Sequence, residues 1–140
     1  MSQIPVVRCK KGVQFAVIAP GGMRILAAID GLSKVLGQDV WITAGTNDHS
    51  KGRHPIGEAY DVSVQGWMPA VIVRAVDHLR HVLGERFTVL YETPTTPADP
   101  ALARVATVNP LATAPHLHLQ VRFETHYPPL DWQGTGKDLV

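Results

Sequence analysis

Apolar positions recur along the chain with two periods, and the switches between them divide it into elements. In GGMRILAAIDGLSKVLGQ, Ile25, Ile29, Leu32 and Leu36 share one face at helical spacing, and Gly37 stands where a helix would stop. DVWITAG follows; it is short, β-branched and closed by Gly45, which predicts a strand. Residues 46–57 are polar and predict a loop. EAYDVSV alternates, with Ala59, Asp61 and Ser63 on one side and Tyr60, Val62 and Val64 on the other. MPAVIVRAVDHLRHVLGE returns to helical spacing through Ile72, Val76, Leu79 and Leu83, with Pro69 suited to the first turn and Gly84 to the stop. FTVLYE predicts another strand. Residues 93–115, rich in Pro, Thr and Ala, predict a long loop with one short helical piece near Ala101. A loop this long in a small domain often carries function. HLHLQVRF predicts a final strand, with His116, His118 and Gln120 on one face and Leu117, Leu119 and Val121 on the other. From Pro128 the chain reads as irregular, and no repeat or low-complexity segment interrupts it.

This order of elements predicts an α+β fold, with helices packed on one face of a small antiparallel sheet. A chain of 140 residues suits a single domain, 1–140, around one core. Hydrophobic residues at 45% and charged residues at 18% describe a globular chain and not a disordered one. With a formal net charge of +1 and no block of like charges, no nucleic acid partner is expected. No apolar run approaches the roughly 18 residues that span a bilayer, so no membrane insertion is expected. The N-terminal MSQIPVVRCKKG lacks the apolar run of a signal peptide. Synthesis in a cytosol is therefore expected, and action outside the cell would need separate release. Cys9 is the single cysteine and forms no internal disulfide, which leans toward a reducing compartment.

Candidate chemistry gathers in two stretches. His54 and Asp61 stand seven residues apart across a loop-to-strand junction, with Gly57 between them to permit a sharp approach. His116 and His118 share one face of the last strand. Two imidazoles and a carboxylate make the ligand set of a catalytic zinc ion with water in its fourth position. The paired histidines would lie roughly 6.5–7 Å apart along a strand, so one could bind metal while the other reaches that water. Spacing alone leaves open which does which. Histidine and aspartate are costly to bury unless paired or metal-bound, so their joint occurrence in one domain raises the weight of each. His78 and His81 lie off the apolar stripe beside Arg74, Asp77 and Arg80, and read as a solvated face. Trp41 and Trp67 read as packing at strand and helix edges, with Trp67 also a candidate for lining a substrate cleft.

SKGRHPIGEAYDV resembles the Ser-x-His-x-x-Gly-x-Ala-x-Asp motif of the zinc D-alanyl-D-alanine peptidases. That group includes murein endopeptidases, phage L-alanyl-D-glutamate endopeptidases and the Hedgehog signalling domain. His54, Gly57, Ala59 and Asp61 match it in spacing, and HLHLQ is similar to the group's His-x-His strand, whose second histidine binds zinc. VWITAG is similar to its Ile-Thr-Ser-Gly strand end, and the likeness covers roughly residues 20 to 122. Departures are Gly52 in place of the serine, Pro55 in place of an aromatic, and Thr113 where many relatives carry a glutamate base.

The resemblance implies a Hedgehog-like or D-Ala-D-Ala-peptidase-like fold, Zn2+ as cofactor, and His54, Asp61 and His118 as its ligands. His116 would then be the general base, with Glu92 as runner-up. Arg53 and His49 would be candidates to meet the developing oxyanion, and His49, Ser50 and Trp67 to contact substrate. Because neutral imidazoles bind metal, activity is expected to fall in acid. The implied activity is zinc-dependent cleavage of a peptide bond in bacterial peptidoglycan stem peptides or cross-links, by a carboxypeptidase or endopeptidase. A phage-type lysin or virion-associated enzyme, released to the cell wall, fits the absence of a signal peptide. The alternative from another class is a non-catalytic, zinc-stabilised structural or binding module, such as a phage tail component. A metal-free domain is the third reading.

Overall fold

The computed structural model describes residues 3–46 and 52–122. In chain order these form β1 (Val7–Cys9), α1 (Pro20–Leu36), β2 (Val40–Ala44), β3 (Ala59–Ser63), α2 (Pro69–Leu83), β4 (Phe87–Thr93), α3 (Pro100–Val105), β5 (Ala106–Val108) and β6 (His116–Val121). The two long helices run where the apolar stripes place them. Both have proline in the first turn, and Gly37 ends α1 in the left-handed conformation. No helix among the described residues is long and apolar enough to cross a membrane.

The fold is α+β, but its sheet is mixed and not antiparallel. Six strands run in the order β1-β2-β3-β6-β4-β5. The four inner strands are antiparallel; β1 lies parallel to β2, and β5 parallel to β4. Parallel neighbours need a crossover connection, and α1 and α3 supply one at each edge. Both edge strands have three residues, too few to show an alternation. The stretch expected as one long loop, 93–115, is therefore partly built. Asp99 caps α3 by accepting from the Leu102 backbone N–H at 2.9 Å, and β5 follows without a turn.

Alternation along the strands sets the two faces. Tyr60, Val62, Leu117, Leu119, Val121, Val89 and Tyr91 are buried and join Ile25, Ile29, Leu32, Ile72, Val76 and Leu79 of the helices in one core. Full burial of each large aliphatic side chain contributes about 1.5–3 kcal/mol. The opposite face carries the polar set. Because β6 enters between β3 and β4, Asp61 lies opposite His118, Ser63 opposite His116, and Glu92 on the far side of His116. Directly opposed side chains are close neighbours, about 4.5–5.5 Å apart at Cβ. The β2–β3 ladder is irregular: Ile42 pairs with Val62, but Ala44 pairs with Asp61, so β2 carries an extra residue there.

Candidate metal centre

His54 comes from a tight turn that precedes β3. The turn is closed by Gly57 N–H donating to the His54 carbonyl at 3.0 Å and Glu58 N–H to the Arg53 carbonyl at 3.0 Å. Gly57 has φ +75°, and a Cβ there would collide with the Val17 carbonyl oxygen. A Cβ on Gly22 in α1 would likewise strike the Gly57 carbonyl oxygen. Two glycines thus let the start of α1 and the His54 turn meet backbone to backbone, and Ala19 N–H donates to the Gly57 carbonyl at 3.3 Å. Asp61 arrives on β3 and His118 on β6, facing each other by register.

One potential ligand atom from each of His54, Asp61 and His118 lies within 4.8 Å of the others. His118 Nδ1 is 2.8 Å and His54 Nε2 is 3.5 Å from Asp61 Oδ1. The other nitrogens decide what these contacts mean. His54 Nδ1 faces the Gly45 carbonyl at 3.2 Å, and a carbonyl only accepts, so that nitrogen carries the hydrogen. His118 Nδ1 faces the Asp61 carboxylate and its Nε2 faces Oε1 of Gln120 at 2.8 Å, so this ring meets an acceptor on each side. In a neutral His54 ring the nitrogen turned toward Asp61 then holds a lone pair, and a neutral His118 ring can donate to only one of its two acceptors. Lone pairs aimed at a carboxylate need a cation between them, either protons or a metal ion. His54 and Asp61 are buried and His118 nearly so, which sharpens that need.

The protonation preferences agree. Burial pushes the Asp61 carboxyl up, but the hydrogen bond from His118 and the neighbouring His54 ring override it and hold the group well below the usual carboxylate range. Burial alone would lower His118, but the Asp61 carboxylate beside it raises it above the ordinary imidazole value. The metal-free cluster therefore favours an imidazolium–carboxylate pair that a divalent ion can replace. Two imidazole nitrogens and a carboxylate oxygen suit zinc, which accepts mixed nitrogen and oxygen ligands. Gln120 and the Gly45 carbonyl are the outer partners that fix which nitrogen each ring presents.

The chain matches no family model, curated protein or solved structure.

Beside the cluster stands a second pair. His116 Nδ1 donates to the Ala114 carbonyl at 2.9 Å, and its Nε2 lies 3.3 Å from Glu92 Oε1 and 3.9 Å from Asp61 Oδ2. Base candidate and runner-up are thus in contact. Arg53 forms an ion pair with Glu58 at 2.8 Å. Trp67 packs against the core, in line with the packing read for it from the sequence. His49 and Ser50 lie outside the described residues. Trp41 is 46% exposed on the open face, with the Arg8 guanidinium 6.0 Å above its ring.

Two residues given no role from the sequence belong to the arrangement. Gln120 follows His118 by two on the same strand face, so alternation could have identified it. Asn109 donates from Nδ2 to Glu92 Oε2 at 3.2 Å, and it sits beyond β5, whose path left no sequence signal.

Proposed function

We propose that this chain is a zinc-dependent hydrolase that cleaves a peptide bond in bacterial peptidoglycan stem peptides or cross-links. The observation that carries the reading is the orientation of the two histidines. His54 and His118 both turn a ring nitrogen toward Asp61, and their other nitrogens are engaged by the Gly45 carbonyl and the Gln120 side chain. A peptidoglycan substrate rests on the motif resemblance to the zinc D-alanyl-D-alanine peptidase group, as does the closer likeness to its fold.

A bound Zn2+ would supply Lewis acidity and activate water at neutral pH. His54, Asp61 and His118 would hold it. His116 Nε2, beside Asp61 and Glu92, would take a proton from the attacking water and return it to the leaving amine. The Glu92 carboxylate would steady the imidazolium formed in between. The inert-module reading has one observation in its favour: Arg53, the cation considered for the oxyanion, is held by Glu58.

The test is metal content of the purified chain together with dye release from labelled peptidoglycan. We expect about one zinc per chain, and release that fails in both His118→Ala and His116→Ala. Zinc binding without release would establish the inert module. Undiminished release in His118→Ala would refute a zinc enzyme at this site.

A further inference from the structure

Asn109 is fixed on three sides. Its backbone N–H donates to the Thr93 carbonyl at 2.9 Å, continuing the β4–β5 ladder by one residue. Its carbonyl accepts from Ala112 N–H at 2.9 Å, and its side-chain Oδ1 accepts from Leu111 N–H at 3.0 Å. These bonds leave the Nδ2 group to point at Glu92, where it meets Oε2 at 3.2 Å. The two side-chain partners also settle the amide orientation. A backbone N–H must face the amide oxygen, and a carboxylate must face the amide nitrogen.

A turn alone would need only Oδ1, which aspartate supplies as well as asparagine. The Nδ2 group is the addition. It holds one oxygen of Glu92 while the other faces His116 Nε2 at 3.3 Å. Being neutral, it orients the carboxylate without discharging it, as a lysine in its place would. His116 Nδ1 faces the Ala114 carbonyl and Nε2 faces Glu92, so both acceptors hold the ring in the imidazolium form that the proposed reaction produces, and together they then define its plane.

We infer that Asn109 is a positioning residue for the proposed reaction: it holds Glu92, and Glu92 aims Nε2 of His116 at the Asp61 side of the metal cluster. The inference rests on the hydrolase reading for its kinetic consequence but not for its geometry. It gives the built part of residues 94–115 a purpose. The α3–β5 crossover delivers the amide to the end of β4, beside Glu92.

The experiment uses the full zinc-loaded chain and compares Asn109→Ala, Asn109→Asp and Glu92→Gln. Asn109→Asp keeps the acceptor for Leu111 N–H but loses the donor to Glu92. Dye release from peptidoglycan and the 15N resonances of the His116 ring are both read. We expect Asn109→Asp and Asn109→Ala to lower kcat by about 10- to 100-fold with KM and zinc content unchanged. Adding Asn109→Asp to Glu92→Gln should cost little more, because the two act through one chain of contacts. The His116 resonances should shift in both Asn109 variants. An Asn109→Asp variant with wild-type kcat and unshifted resonances would overturn the inference and leave Asn109 a turn residue. If the wild-type chain releases no dye, the hydrolase reading fails. The resonances then decide the positioning alone: a shift supports it, and none overturns it.

Discussion

Replacing Gly22 with alanine should destabilise the protein, although helix propensity points the other way. Alanine is favoured over glycine within a helix by about 0.8–1 kcal/mol. Gly31, in the same helix, offers the clean case, since a Cβ there meets nothing within 4 Å. Gly31→Ala should therefore stabilise by about 0.5–1 kcal/mol. At Gly22 the same methyl would collide with the carbonyl oxygen of Gly57. That oxygen is backbone and already accepts from Ala19 N–H at 3.3 Å, so it cannot swing aside as a side chain would. Relief requires the helix start or the His54 turn to move. Overpacking of this kind costs about 1–3 kcal/mol, which exceeds the propensity gain. The net expectation is a loss of up to about 2 kcal/mol, read as a fall in Tm of roughly 3–5 °C per kcal/mol for a chain of this size. Thermal unfolding in chelator-treated buffer separates this from any metal effect. Repeating it with zinc should show a smaller zinc increment in Gly22→Ala, because His54 rides on the displaced turn. A Gly22→Ala Tm at or above wild type would refute the close helix–turn contact.

Further expectations follow from the site and the core. Asp61, held below the usual carboxylate range, contributes stability that is present above its unfolded value of 3.8 and lost as pH falls through its folded value. His118, raised above 6.5, contributes stability that is full below that value and lost as pH rises through its folded one. In metal-free protein, the stability difference between wild type and Asp61→Asn should therefore be largest between about pH 4 and 6.5, while the Tm increment from zinc grows above that window as His118 loses its proton; a pH-independent difference would contradict the pairing. Gln120→Leu removes the acceptor that fixes His118 and should weaken zinc binding about 10- to 100-fold by calorimetric titration, with the fold unchanged. The Tyr60 hydroxyl is buried without a hydrogen-bond partner among the described residues, so Tyr60→Phe should raise stability by about 1 kcal/mol in urea titration while keeping the stack on Phe15; a clear loss would show that the hydroxyl is satisfied.

The long elements were legible because each buries one face and repeats its apolar residues often enough to show a period. Ile25 through Leu36 and Ile72 through Leu83 did so for helices, and Tyr60–Val62 and Leu117–Val121 for strands. The same alternation placed Asp61, His116 and His118 on the face away from the core. Strand order was not legible. Nothing local states that β6 enters between β3 and β4, and that insertion brings Asp61 to His118 and Glu92 to His116. The parallel edges were missed because three residues carry no period and their pairing depends on crossovers. Asn109 followed by Pro110 signals a turn, but its reach to Glu92 depends on β5, which the sequence concealed. Trp67 packs beside the start of α2 against the core, as its place at a helix edge suggested.

The extra residue in β2 has a meaning beyond geometry. A regular ladder would set Thr43 opposite Asp61; the bulge sets Ala44 there and holds Gly45 back by one place. Gly45 then turns its carbonyl to His54, while Thr46 is tied to the Gln14 carbonyl by its backbone N–H and its hydroxyl. Loss of one residue from this strand would mend the sheet and move that carbonyl by about 3.3 Å, the rise of a single strand residue. The His54 ring would then be free to present either nitrogen. On the proposed metal-site reading, the irregularity gives up one regular ladder pair so that His54 is held to a single tautomer.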